Sequence, residues 1–257
     1  MKFPKSLVAI ALLALSSISS AADKITIAAA ADLKFAMEEI VTVFKQANPA
    51  AEVETIYGSS GKFHTQIQQG APFDLYFSAD IKYPQMLAKE GFAASEVKPY
   101  AFGRIVLWSA SRDASKMTIA DLADPAIAKI AIANPKHAPY GKRAEEALHS
   151  AGIWEKVEPR LVMGENIAQT AQYVQTGNAD IGIIALALAL NKELASKGNY
   201  ALIPDNLHQP LEQGFIVTKL AADNVLAKKF AAYMGSPDAR RVMVRYGFIL
   251  PGEMPTK

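Results

Sequence analysis

The sequence predicts an α/β fold built on mostly parallel sheets, and three observations carry that expectation. Segments with strand-like apolar patterns alternate with amphipathic segments along the whole chain. Helical segments close on glycine, at Gly70, Gly152 and Gly177. The junctions where strand gives way to helix are made of small or polar residues, which leave the backbone open to a neighbour.

The elements follow in order. "KITIAAA" is a first strand, and the helix after it carries Leu33, Ala36, Met37 and Ile40 on one face until "ANPAA" breaks it after Gln46. "EVETIYG" is a second strand and "SSGKFHTQIQQG" a helix ending on Gly70. "FDLYFSAD" is a third strand. "RIVLWSA", "KIAIANP", "ADIGIIA", "YALIP" and "GFIVTK" supply the later ones, and "RAEEALHSAG" and "IAQTAQYVQTG" are helices. The apolar run "IGIIALALAL", Ile181 to Leu190, is too short to span a bilayer and reads as a buried strand running into a helix.

Residues 1–22 read as a secretory signal peptide. Lys2 and Lys5 precede the apolar stretch "SLVAIALLALSSIS", and small residues allow cleavage near Ala21 or Ala22. The sequence contains no cysteine, which excludes a lipid-anchored leader, a disulfide framework and a cysteine metal site. The expected location is therefore the periplasm. Without Lys2 and Lys5 the formal charge of +2 falls to about zero, so neither a nucleic-acid face nor a polybasic membrane patch is expected.

Ligands of open α/β sheets sit beyond the carboxyl ends of strands, against the amino ends of the following helices. Free N–H groups and the helix dipole make those ends receptive to anions. Four junctions here are bare enough to serve: 29–32 ("AAAD"), 58–61 ("GSSG"), 137–141 ("HAPYG") and 163–170 ("MGENIAQT"). Together they predict a shared anion cage. Catalytic machinery is not visible. His64, His137, His149 and His208 lack metal-ligand spacing, "GSSGK" has the wrong spacing for a phosphate-binding P-loop, and no nucleophile elbow is present. Neither an enzyme, a cofactor nor a metal cation is expected.

"KITIAAAADLKFAMEEI", "YGSSGKFHTQIQQGAPFDLYFSAD", "NPKHAPYGKRAEEAL" and "RYGFILP" together resemble the periplasmic molybdate-binding proteins (ModA), the solute receptors of molybdate ABC importers. The block from Gly70 to Asp80 is the most specific piece. The resemblance implies a two-domain periplasmic binding protein of type II, with a hinge and an interdomain ligand cleft. The first domain would be 23–103 plus 216–257 and the second 104–215. It also implies capture of molybdate, with tungstate, by a monomer that delivers it to an inner-membrane permease. Carried over residue by residue, the ligand contacts fall on Ala31 and Asp32, on Ser60 with Ser59 beside it, on the Tyr140 amide and on the Ile167 amide. A tyrosine hydroxyl that some members supply falls on Ala185 and is lost. Rival expectations are another tetrahedral oxyanion (phosphate, arsenate, chromate or sulfate), a sensor subunit signalling to a membrane kinase, and a secreted hydrolase.

Asp32 is the departure, because many members have serine or asparagine there. As a helix N-cap it would turn its carboxylate onto nearby amides and lend the ligand only its N–H. Facing a dianion at about 4 Å it would instead be repelled by roughly 4 kcal/mol at an effective dielectric near 20, unless one partner carried a proton. Tyr140 is expected either to pack in the cleft or to lay its ring over the ligand.

Overall fold

The computed structural model describes residues 24–253; the expected signal peptide lies outside them. The first half forms β1 (Lys24–Ala30), a 3-10 turn (Ala31–Leu33), α1 (Lys34–Ala47), β2 (Glu52–Gly58), α2 (Ser60–Gln68), β3 (Leu75–Ser78), α3 (Lys82–Lys89) and β4 (Lys98–Gly103). The chain then enters a second sheet through β5 (Ile105–Ser109), β6 (Ile130–Ala133), α4 (Pro139–Ser150), α5 (Trp154–Val157), β7 (Leu161–Gly164) and α6 (Ile167–Gln175). It continues with β8 (Ile181–Ala185), α7 (Leu186–Ala189), α8 (Lys192–Lys197) and β9 (Asn199–Leu202). It returns as β10 (Leu211–Val217), α9 (Val225–Tyr233) and α10 (Pro237–Arg245).

The sheets have the orders β2-β1-β3-β10-β4 and β7-β6-β8-β5-β9. In each, three strands run parallel and the remaining pairings are antiparallel. The fold is thus the expected α/β arrangement with mixed sheets. Both faces of the first sheet are covered, and side-chain alternation explains how. Ile27, Leu75, Phe77 and Phe215 enter one cluster with α1, α9 and α10. Ala28, Tyr76 and Ile216, one residue out of step, enter another with Phe63, Ile67 and Leu87 of α2 and α3. Ala30, Ala31, Ala79 and Leu211 pack into the core of the second sheet, so the halves meet in apolar contact beside the cleft.

Two strands escaped the sequence pattern. β4 contains Pro99, which is tolerated because β4 lies at a sheet edge. β7 is a short edge strand behind the Glu158–Arg160 turn. β10 also starts earlier than "GFIVTK" implied: Leu211, Glu212 and Gln213 already pair with β4, and a register shift at Gln213/Gly214 hides the alternation. The expected boundary at 215/216 falls inside this strand.

Candidate functional site

Four helix starts converge. β1 ends at Ala30 and the turn Ala31–Leu33 leads into α1; β2 passes through Ser59 into α2; β6 and β7 lead into α4 and α6. The first amides of each helix have no carbonyl four residues back to accept them. In α6 the Asn166 side chain takes the amides of Ala168 and Gln169, both at 3.0 Å, and leaves that of Ile167 for another acceptor.

Ala31, Asp32, Ser59, Ser60, Tyr140 and Ile167, the residues singled out from the sequence, all line one small cavity between the halves. About 10 Å³ of it admits the centre of a water-sized sphere, the room of about one water. The remaining lining is alanine, glycine and proline, with no lysine or arginine. A larger surface hollow of about 570 Å³ lies between α4 and residues 206–209, lined by Lys142 and His149 as well as by Glu145 and Glu146. Ala185 ends β8, fully buried, and does not line the cavity. Among the described residues no group of three His, Cys, Asp or Glu side chains is placed to hold a metal ion.

The Ser60 hydroxyl oxygen accepts the Ala79 amide at 3.0 Å. That bond occupies a lone pair and leaves the hydroxyl proton free to be donated. Ser59 Oγ lies 2.9 Å from His137 Nδ1, across the cleft. When Nδ1 carries the proton and donates it to Ser59, the serine proton too is free for the cavity. The His137 carbonyl accepts the Gly61 amide at 2.9 Å, so this residue clasps α2 twice. His137, which carries no metal-ligand spacing, thus bridges the two halves of the site. Burial pushes its pKa below the usual value, opposed by Glu165 3.8 Å from Nε2. Lys62 pairs with Glu165 across the same gap.

Asp32 is not a helix cap: Ala30 holds the cap position, and no side chain caps the turn. The Asp32 carboxyl is 1% exposed, and its Oδ2 accepts from the Tyr140 hydroxyl at 3.0 Å and from Gln213 Nε2 at 2.8 Å. Gln213 Nε2 also lies 3.1 Å from the Tyr140 oxygen, closing a triangle between the first turn, α4 and β10. Asp32 Oδ1 is buried without a partner. Burial drives the Asp32 pKa up from 3.8 to about 6, against the lowering effect of Gln213 and Tyr140. The same burial, with Asp32 beside it, holds the Tyr140 hydroxyl well above its ordinary value. The Tyr140 hydroxyl is thus committed to Asp32 and Gln213. Gly103, where the chain crosses between sheets, makes room for the triangle: a Cβ there would sit 2.2 Å from the Tyr140 hydroxyl oxygen.

Sequence reasoning missed Gln213 and His137. Gln213 had little signal, because the register shift at Gln213/Gly214 breaks the alternation of β10, although a fully buried amide in a strand must bond to something. His137 had none, since its role depends on closure of two segments 78 residues apart.

A family model described as bacterial extracellular solute-binding protein matches residues 25–249. The chain is 34% identical to the molybdate-binding protein ModA of Rhodobacter capsulatus, over 96% of this chain and 98% of that one. It is 35% identical to ModA of Azotobacter vinelandii, over 88% and 90%. Its structure resembles the Azotobacter vinelandii periplasmic molybdate-binding protein with a TM-score of 0.83, at 31% identity, covering 88% of this chain and 99% of that one. The sulfate-binding protein SubI of Mycobacterium tuberculosis, at 17% identity and a TM-score of 0.73, shares the fold. The chain belongs to the bacterial extracellular solute-binding proteins, within the family of the periplasmic molybdate-binding proteins, ModA.

Proposed function

We propose that this protein captures molybdate, and with it tungstate, in the periplasm and hands it to an ABC permease of the inner membrane, without covalent chemistry. The observation that carries this reading is the convergence of four helix starts and two serine hydroxyls on one small cavity lined by no cationic side chain. Each charge-assisted hydrogen bond is worth about 1.5 to 3 kcal/mol, and helix dipoles add about 0.3 to 1 kcal/mol apiece. Desolvation of a dianion opposes them, so only a nearly complete donor set gives useful affinity. In this reading Ser59 and Ser60 donate hydroxyls, and Ala31, Asp32, Tyr140 and Ile167 face the anion from their helix starts. Selectivity comes from cage size, since sulfate and phosphate are smaller than molybdate and tungstate. The two sheets act as two domains of a monomer, the chain leaving the first after Gly103 and rejoining it by Leu211, and they close over the anion.

Thermal unfolding of the mature protein with each oxyanion tests the reading. Ligand at a thousandfold over Kd stabilises by about 4 kcal/mol, which for a chain of this size raises Tm by roughly 10 °C. Molybdate and tungstate are expected to do so while sulfate, phosphate and arsenate leave Tm unchanged. A shift with phosphate or sulfate alone would replace the assigned ligand.

A further inference from the structure

An acid in the wall of an anion cage works against binding, by about three decades in affinity for a carboxylate close to a dianion. Asp32 lines the cavity all the same, and its surroundings resolve the conflict. Both side-chain donors that reach the carboxyl, Tyr140 at 3.0 Å and Gln213 at 2.8 Å, bind the same oxygen, Oδ2, while the Asp32 and Leu33 amides act on it from the backbone side. Oδ1 is left buried with no partner. A carboxylic acid held by one oxygen as acceptor has its other oxygen free to carry a proton and donate it.

We propose that Asp32 holds the oxyanion as a neutral carboxylic acid, donating the proton on Oδ1 to a ligand oxygen while Tyr140 and Gln213 fix Oδ2 as acceptor. The inference rests on the reading of this cavity as the molybdate site. The proton comes from solvent on binding, so one proton is taken up for each anion captured above the range where the free carboxyl is already protonated. The groups facing Asp32 are Tyr140 from α4, Tyr100 from β4, Gln213 from β10 and the amides of Asp32 and Leu33, and none is a cation that would keep the carboxyl ionised. Burial already favours the neutral acid, with the pKa raised to about 6, and a dianion alongside raises it further. One specificity consequence follows. With Oδ2 occupied and Oδ1 protonated, this wall offers a donor and no free acceptor, which disfavours a ligand that brings its own O–H.

The test is calorimetric titration of the mature protein with sodium molybdate at pH 7.5, in buffers of different ionisation enthalpy, repeated across pH 6 to 9. Wild type is expected to take up about one proton and to lose affinity about tenfold per pH unit above neutrality. Asp32→Asn supplies an N–H donor with no proton to acquire, and is expected to bind with no proton exchange, independently of pH and more tightly than wild type at pH 9. Asp32→Ala, with neither donor nor acceptor, is expected to bind at least tenfold more weakly than Asp32→Asn. Tight wild-type binding with no proton uptake overturns the inference and leaves the molybdate site standing. Uptake that persists in Asp32→Asn assigns the proton to another group, such as His137, and also overturns it. No molybdate binding by correctly folded wild type overturns the reading beneath both.

Discussion

At the scale of single residues, the cavity is built by partners more than by the residues that line it. Ser60 is useful because Ala79 turns its proton free, and Ser59 because His137 stands opposite. Asp32 carries a cost in this closed form. Its folded pKa of about 6 exceeds the unfolded 3.8, so between those values the native state binds more protons than the unfolded one. The stability it contributes is complete below about 3.8 and is lost as pH rises through about 6. The difference amounts to about 3 kcal/mol. Asp32→Asn is therefore predicted to raise the anion-free Tm by several degrees at pH 8, with the gap closing toward pH 4. A gap that widens toward acid would contradict the assigned environment. The four bare helix starts were legible because small and polar residues mark where a ligand can approach backbone, while the six individual residues came from the resemblance and line one cavity here. The direction of the Asp32 carboxyl was not legible, because it depends on Tyr140 and Gln213, which lie 108 and 181 residues away.

At the scale of elements, the two sheets repeat one arrangement. β1 and β6 are inner strands, each with β2 or β7 on one side and β3 or β8 on the other, and the chain crosses over between those sides. Such a reversal opens a crevice at the strands' carboxyl ends. The helix starts at the cavity come in matching pairs: the turn after β1 and α4 after β6, then α2 after β2 and α6 after β7. The alternation of strand and helix was visible in the sequence, whereas β10 was partly hidden by its own irregularity. The amide assigned to Ile167 can be tested apart from its side chain. Proline is tolerated at the first helical position and removes only an N–H that lacks an intrahelical partner. Asn166 is already extended, as a residue before proline requires. Ile167→Pro is predicted to weaken molybdate binding tenfold or more relative to Ile167→Ala, which controls for lost packing. Equal affinities would remove this amide from the site.

At the scale of the whole molecule, the structure is closed, and the closing contacts radiate from the cavity. Gly61 donates to the His137 carbonyl, Lys62 pairs with Glu165, Arg143 lies 3.6 Å from Asp80, and Tyr140 reaches Asp32. A Cβ at Gly61 would meet the His137 carbonyl oxygen at 2.8 Å and, within its own half, the Tyr83 hydroxyl at 3.0 Å, the end of a side chain that can shift where the His137 backbone cannot. Alanine suits a helix, so Gly61→Ala asks the first half only for a small shift of the Tyr83 side chain and penalises closure against the His137 backbone. We expect a lower anion-free Tm, because the anion-free form described here is the closed one, together with weaker molybdate binding, read by thermal unfolding and titration of the same sample. Unchanged affinity would mean that the bound form is not the closed form described here.

The central claim is a cage of amides and hydroxyls selective for a large tetrahedral dianion. The measurement that tests it most directly is a calorimetric titration of the mature protein with molybdate in a large excess of sulfate and phosphate. The account predicts one-to-one binding of molybdate that neither competitor weakens. Binding abolished by sulfate or phosphate, or heat evolved with those anions and none with molybdate, would contradict it.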